Sequence, residues 1–378
     1  MFGDMTIELP GGFSGLFKKK KKRGVGIDIG NSSIKIVELE KKEDGIFLKN
    51  YAITKVDKEG LIRPGSSKII SNDVGEIVKK IFNDIELKDK NINVAIPSFA
   101  SLITTIELPP VSEKEIEQII QVEAPKYIPV PLSEVVYGWE VVNSKQAKDE
   151  TEDGDSSLLK ASRKTPVKVV LASIMKNISQ EYEKVFENSG YNIESLEVDT
   201  FALKRSMIGA KKGNFLIADI GSCITNISVI SNGSVVVNRS IDVGGSRMTD
   251  LLSQAMKISK DRAEKIIGSQ GLEIDSQDIK KQIMIPLLKN ISDDIKKAKE
   301  GFEEGYPDSK LESILLTGGF SQMKGLKDFF SNQLGVAVAD SNPWENLKYP
   351  DKIKDSLKSL SPYFGTAVGL ALRGLIEE

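Results

Sequence analysis

The sequence predicts an α/β fold of two related halves facing each other across a cleft, and three observations carry that expectation. The segment Val25-Gly26-Ile27-Asp28-Ile29-Gly30-Asn31-Ser32-Ser33 is echoed by Ile217-Ala218-Asp219-Ile220-Gly221-Ser222-Cys223. Asp28 and Asp219 lie 191 residues apart, as do Gly30 and Gly221, so the two segments align without a gap. Each continues as an alternating strand, Ile34 to Leu39 and Thr225 to Val229, so each half opens on a β-hairpin. Third, Ile314-Leu315-Leu316-Thr317 runs a buried-type strand into Gly318-Gly319 and then toward a helix.

The remaining elements follow in order. Residues 1–23 are rich in Gly and Lys and read as a disordered basic leader. After the first hairpin, Val74 to Phe82 has helical spacing, and Val94-Ala95-Ile96-Pro97 reads as a short buried strand. Thr104 to Leu108 is a strand closed by two prolines, and Ser112 with Glu115 fits a capping box opening a helix. Residues 143–165 are polar and read as a mobile loop inside a domain. Val167 to Ile174 is a strand, and Ser179 to Asn188 a helix stopped by Ser189-Gly190. After the second hairpin come helices around 246–268 and 277–304, and an apolar helix from Phe364 to Leu375 ends the fold.

Composition limits the chemistry. The 378 residues, 40% hydrophobic and 28% charged, suffice for a sizeable core and two domains. Histidine is absent and cysteine occurs once, at Cys223. This excludes Ser-His-Asp and Cys-His catalysis, imidazole metal ligands, intrachain disulfides and cysteine-rich metal sites. The chain reads as intracellular, with its chemistry left to carboxylates, lysines, hydroxyls, backbone N–H groups and Mg²⁺. Lys+Arg at 52 against Asp+Glu at 54 gives a net charge of −2, so nothing points to nucleic acid as a partner. The basic run Lys18 to Arg23, beside Phe13, Leu16 and Phe17, reads as a solvated leader. Its functional alternative is a weak contact with an anionic membrane face, worth about 1 kcal/mol per basic residue. No apolar run approaches the roughly 18 residues of a membrane span.

The paired hairpins suit one task. Each delivers an aspartate to a strand end, glycine permits the tight turn, and small residues leave backbone N–H groups free to face an anion. Two such turns from opposite halves can clasp the phosphates of a nucleotide. Asp28 and Asp219 then face Mg²⁺ through water, since Mg²⁺ keeps much of its hydration shell. Lys35, seven residues beyond Asp28, is placed to reach a phosphate. The Gly318-Gly319 pair lets a flat group such as adenine approach the backbone. An ordinary hairpin with a structural aspartate is the favoured alternative for one copy and the less favoured one for a matched pair.

In this order, the three glycine turns resemble those of the actin-like ATPase superfamily, and within it the chain is most similar to the PilM family of type IV pilus assembly proteins. The resemblance runs from Gly24 to Leu375. Its most particular part is Ile96-Pro97-Ser98 through Thr105-Ile106-Glu107-Leu108-Pro109-Pro110 and Val122-Glu123-Ala124-Pro125-Lys126-Tyr127-Ile128-Pro129. That segment is similar to a subdomain inserted in PilM and FtsA and lacking in actin. The resemblance implies an actin-like, duplicated ribonuclease-H-like α/β fold. Its domains would be 24–103 with 188–212, the insert 104–187, 213–245 with 310–378, and 246–309.

It also implies a site. The first phosphate loop would be Gly30, Asn31, Ser32 and Ser33 with Lys35, and the second Asp219, Gly221, Ser222 and Thr225. Gly244 and Gly245 would lie near the nucleotide, Glu264 would contact the ribose, and Gly318, Gly319 and Ser321 would flank the adenine. The ligands implied are ATP or ADP and Mg²⁺, the ion facing Asp28 and Asp219. The family commonly has a lysine three positions after the ribose-contacting glutamate; here Ile267 stands there, and Lys265 is the nearby basic residue. Cys223, inside the second loop, reads as a small filler.

Three functions follow from the resemblance. The first is a scaffold at the cytoplasmic face of the inner membrane, in a pilus or related secretion platform. It binds ATP, hydrolyses it slowly at most, and docks the N-terminal cytoplasmic tail of PilN, and through it PilO and the pilus motor complex. The apolar, proline-bounded segment 104–131 motivates the docking. The second is an FtsA-like membrane-associated filament, in which self-association matters. That form needs a C-terminal amphipathic membrane helix, whereas this sequence reaches Glu378 directly after its last core-like helix. The third is a small-molecule kinase, for which no sugar-site motif is visible. Asp199 is one further candidate for positioning a nucleophile, but its place before a helix reads first as an N-cap.

Overall fold

The computed structural model describes residues 22–56, 60–62, 69–111, 113–142 and 166–376. The basic leader up to residue 21, the Ser112 cap and the polar segment 143–165 lie outside the described residues. The first half opens on β1 (Arg23–Ile29), β2 (Ser33–Lys42) and β3 (Gly45–Lys55), an antiparallel set that follows the predicted alternation. Then come α1 (Asp73–Asp84) and β4 (Asn91–Ile96). The chain continues through β5 (Ser101–Leu108), α2 (Glu113–Glu123), β6 (Val135–Val141), β7 (Val167–Met175) and α3 (Lys176–Asn188). It closes this half with β8 (Asn192–Val198) and α4 (Asp199–Met207).

The second half repeats the opening with β9 (Asn214–Ile220), β10 (Thr225–Ser231) and β11 (Ser234–Ile241). Helices α5 (Gly245–Met256), α6 (Lys260–Gln270), α7 (Gln277–Ile279) and α8 (Ile285–Gly305) follow. β12 (Ser313–Thr317), α9 (Leu326–Leu334), β13 (Val338–Asp340), β14 (Leu347–Lys348) and α10 (Lys354–Leu372) complete the chain.

Among the described residues these strands form three sheets, ordered β14-β3-β2-β1-β4-β8, β11-β10-β9-β12-β13 and β5-β7-β6. The first two share one plan. An antiparallel hairpin set is extended by parallel strands, β1 beside β4 and β9 beside β12, so both repeated aspartates leave the sheet next to a parallel crossover. Strand ends at such crossovers are where α/β folds place ligands. The third sheet is built on a separate apolar cluster that includes Ile106, Ile116, Ile120 and Leu171. Helix α3 buries Tyr182, Val185 and Phe186 in the principal core.

Two local readings needed correction. The expected helix around 246–268 is two helices: Lys257 adopts a left-handed φ of 54° after α5, and Ser259 caps α6 by accepting the Arg262 N–H. The terminal helix begins at Lys354, well before the expected Phe364, and runs through Pro362. Proline removes one N–H from a helix and clashes one turn back, but here the turn it interrupts, Lys358–Ser359, is exposed. The C-terminal part of α10 lies directly on β1. A Cβ at Gly26 would meet the Ala371 nitrogen at 2.6 Å and the Leu370 Cβ at 2.8 Å, so only glycine admits this approach. Helices α4 and α10 pack together beneath the two sheets and form the floor of the cleft.

Candidate functional site

The two hairpin turns have the same hydrogen bond. Gly30 N–H donates to the Ser33 carbonyl at 2.9 Å, and Gly221 N–H donates to the Ile224 carbonyl at 3.0 Å. The duplication therefore extends from sequence to turn geometry. Asp28 and Lys35 are register partners across β1 and β2, and their side chains form an ion pair at 3.1 Å. The equivalent partner of Asp219 across β9 and β10 is Asn226, so the second aspartate lacks a lysine on its own hairpin.

The third turn is held against the second. Gly318 has φ of +86°, which favours glycine, and a side chain there would run into the Asp219 carboxylate. Its N–H donates to the Pro362 carbonyl at 2.8 Å, so the residue that interrupts α10 anchors this turn. The start of α5 clamps the second turn: Gly245 N–H donates to the Gly221 carbonyl at 3.0 Å, and Ser246 N–H to the Ser222 carbonyl at 2.8 Å.

Together the three turns wall a cavity of about 610 Å³ between the halves. Of the residues singled out in the sequence, Asp28, Gly30, Asn31, Ser32, Ser33, Lys35, Asp219, Gly221, Ser222, Gly245, Glu264, Gly318 and Gly319 line it. Three do not. Thr225 is fully buried and donates its hydroxyl to the Val243 carbonyl at 2.6 Å. Gly244 packs on the Ser222–Cys223 backbone. Ser321 donates its hydroxyl to the Gly318 carbonyl at 2.8 Å, bracing the turn from behind. Ile267 is on the wall, whereas Lys265 is not; the basic residue that α6 presents to the cavity is Lys260, paired with Asp250 at 2.6 Å. Asn31 donates from Nδ2 to the Cys223 sulfur, joining the first turn to the second.

The reading of Asp199 as an N-cap fails. Val198 occupies that position, and Asp199 is the first residue of α4. Its carboxylate accepts the Ser98 N–H at 3.2 Å, the Ser98 hydroxyl, and the Asn226 amide at 3.4 Å, and it faces the cavity. Burial pushes its pKa up to about 6, against the pull of the Ser98 hydrogen bonds. Burial likewise pushes Asp219 up to about 7, with Asp199 and Asp28 adding to the rise and Lys35 opposing it. Two of the carboxylates that face the cavity, Asp199 and Asp219, thus carry charge at a cost that a bound cation would relieve. Among the described residues no three acidic or cysteine side chains converge closely enough to hold a metal directly. A hydrated Mg²⁺ fits this donor set better than a directly ligated ion.

Asn226, Asp199, Asp250, Lys55 and Lys260 are among the cavity residues that sequence reasoning missed or misjudged. Asn226 was open to discovery, since it stands 191 residues after Lys35 and so continues the repeat. The exposed lysines carried no pattern.

Comparisons with known proteins bear on the family and the fold. The family model described as "Type IV pilus assembly protein PilM" matches residues 26–375. Among curated relatives, FtsA of Neisseria meningitidis serogroup B is 25% identical over 214 residues, half of each chain. The chain therefore spans about half the length of that relative. FtsA of Staphylococcus epidermidis is 23% identical over 349 residues, covering 84% of this chain and 74% of its own. Among solved structures, a PilM-PilN type IV pilus biogenesis complex superposes with a TM-score of 0.76 at 22% identity, over 95% of this chain and 100% of that chain. The ethanolamine utilization protein EutJ of Carboxydothermus hydrogenoformans gives 0.54 at 16% identity, over 94% and 91%. The fold is the actin-like α/β fold that the family resemblance implied.

Proposed function

The chain belongs to the PilM family of type IV pilus assembly proteins, and from that premise we propose that it is an ATP-binding scaffold at the cytoplasmic face of the inner membrane, docking the N-terminal tail of a PilN protein. Through PilN it would join PilO and the pilus motor complex. One observation supports nucleotide binding above the rest. The cavity wall carries five acidic side chains, Asp28, Asp199, Asp219, Asp250 and Glu264, against three lysines, and two glycine turns offer their backbone to the same space. A polyphosphate enters such a cavity only with a divalent cation, so the ligand is Mg-ATP or Mg-ADP rather than the free nucleotide. When bound, Mg²⁺ neutralises charge on the phosphates and on the floor carboxylates together. Asp28 and Asp219 would hold its waters; the N–H groups of Gly30 and Gly221 are spent on the Ser33 and Ile224 carbonyls within their turns, so those of Asn31, Ser32 and Ser222 would face the phosphates.

Turnover is a lesser matter. With no histidine in the chain, Asp199 is our candidate among the described residues for orienting a water, and it already accepts hydrogen bonds from Ser98 and Asn226. The protein is at most a slow ATPase.

The PilN assignment is supported by family membership and by the fold shared with the PilM-PilN complex. Titration calorimetry of the purified chain with a peptide of the PilN N-terminal tail tests it. Micromolar or tighter binding is expected, and no measurable heat of binding would remove the partner assignment. Similarity to FtsA over 84% of the chain keeps a filament-forming reading in play. Sedimentation with Mg-ATP at rising protein concentration separates the two, a scaffold staying in the supernatant.

A further inference from the structure

Three lysines face the cavity, and each is paired with a carboxylate: Lys35 with Asp28 at 3.1 Å, Lys260 with Asp250 at 2.6 Å, and Lys55 with Glu264 at 3.2 Å. The third pair is of a different kind. Lys35 and Asp28 face each other across one hairpin, with side chains 12% and 17% exposed, so this lysine is fixed in neutralising its aspartate. Lys260 and Asp250 both belong to the second half. Lys55 ends β3 of the first sheet, whereas Glu264 sits on α6, so their pair spans the mouth of the cleft.

The Lys55 backbone is held against the first phosphate turn. Ser33 and Lys55 are register partners between β2 and β3, and Val56 N–H donates to the Ser32 carbonyl at 3.0 Å. The ammonium thus springs from beside the turn that presents Gly30 to Ser33, yet it is engaged elsewhere. Its present partner holds it weakly, because the two side chains are 75% and 64% exposed and such a pair contributes little to stability. A polyphosphate in the cavity carries several times the charge of one carboxylate and takes the ammonium by charge-assisted hydrogen bonding.

We propose that Lys55 is a phosphate-binding residue that changes partner, from Glu264 in the nucleotide-free chain to the terminal phosphate of a bound nucleoside polyphosphate. The exchange frees the Glu264 carboxylate to accept hydrogen bonds from sugar hydroxyls on the opposite wall. It also makes the closing contact of the empty cleft a contact of the ligand. The proposal rests on the nucleotide reading above and adds to it a residue and a discrimination: Lys55 favours triphosphate over diphosphate, and itself contacts neither sugar nor base.

Calorimetric titrations of the full chain with Mg-ATP, Mg-ADP and adenosine test this, comparing the wild type with Lys55→Gln, Lys55→Arg and, as a charge control away from the cavity, Lys79→Gln. Lys55 is exposed, so folding is not at risk, and thermal melts of each variant verify that. Lys55→Gln is expected to lose about tenfold in Mg-ATP affinity, less in Mg-ADP affinity, and less than twofold in adenosine affinity. Lys55→Arg keeps most of the Mg-ATP affinity, and Lys79→Gln keeps all of it. Unchanged Mg-ATP binding in Lys55→Gln overturns the proposal, as does an equal loss for Mg-ATP and adenosine. Failure of the wild type to bind any of the three ligands overturns instead the nucleotide reading beneath it.

Discussion

Asp219 is the residue on which the site turns, and its environment yields two predictions. Its carboxyl ionises at about 7 in the folded chain, against an ordinary value near 3.8, because burial and two neighbouring carboxylates disfavour the charge. The raised value sets the sign of the pH dependence. Between about pH 4 and 7 the folded state binds more protons than the unfolded state, so stability falls as pH rises across that window. Asp199, raised to about 6, contributes in the same direction. Melting curves of the nucleotide-free chain from pH 4.5 to 8 should show Asp219→Asn losing less stability than the wild type over that range; parallel curves would contradict the burial argument. The same substitution should weaken Mg-ATP binding by about 10- to 100-fold, the loss of one charged hydrogen-bonding partner of roughly 1.5–3 kcal/mol. Calorimetry checks it, and undiminished affinity would make the second turn merely structural. At this scale the sequence was legible where it repeated: Asp28, Gly30, Asp219 and Gly221 follow from one offset. Thr225 and Ser321 were not separable from true wall residues, because a small hydroxyl facing a cavity and one bonded to a carbonyl behind it look alike in sequence. Asp199 was misjudged for a related reason, since an acid at a helix start caps the helix unless tertiary contacts claim its carboxylate.

At the scale of elements, strand and helix order came from periodicity, but helix ends did not. Helix α10 runs from Lys354 to Leu372 through Pro362, which is accommodated because the turn it interrupts is exposed and its own carbonyl holds Gly318 and Thr317. Glycines likewise have opposite meanings in different elements. Gly26 is enclosed by α10, and an added methyl meets backbone atoms that cannot yield. Gly301, in the middle of α8, has open space around its missing Cβ. Gly26→Ala should therefore destabilise the fold by about 1–3 kcal/mol through overpacking, whereas Gly301→Ala should stabilise it by about 1 kcal/mol through helix propensity. Denaturant unfolding of the two variants beside the wild type measures both shifts. Equal signs would mean that the contact between β1 and α10 is looser than its geometry.

At the scale of the whole molecule, the three-stranded sheet β5-β7-β6 and the turn that leads into it reach both halves. Ser98, which leads into β5, is bonded to Asp199 on the cleft floor, and the Ser98 and Thr200 hydroxyls lie 2.7 Å apart. From the other side, the Thr105 hydroxyl donates to the Val236 carbonyl at 3.0 Å, the Ser234 hydroxyl donates to Glu140 at 2.8 Å, and Lys168 donates to the Gly305 carbonyl at 2.8 Å. A relative movement of the halves around a ligand would have to be accommodated by these attachments. None of this was visible in the sequence, because each contact joins residues about 90 to 140 positions apart through single polar side chains. If the insert carries the docking surface for a PilN tail, nucleotide and peptide affinities must then be linked. Linkage is reciprocal: whatever factor saturating Mg-ATP applies to peptide affinity, saturating peptide applies to Mg-ATP affinity. Calorimetric titrations in both orders should return the same factor, different from one. In Ser98→Ala, which removes the hydroxyl contacts to Asp199 and Thr200 but keeps the Ser98 N–H bond, and in Thr105→Val, which removes the bond to Val236, the factor should move toward one while the affinities for the separate ligands change less. A factor that survives both substitutions would place the coupling elsewhere than in these side chains. A factor of one in the wild type would mean that the cleft and the insert work independently.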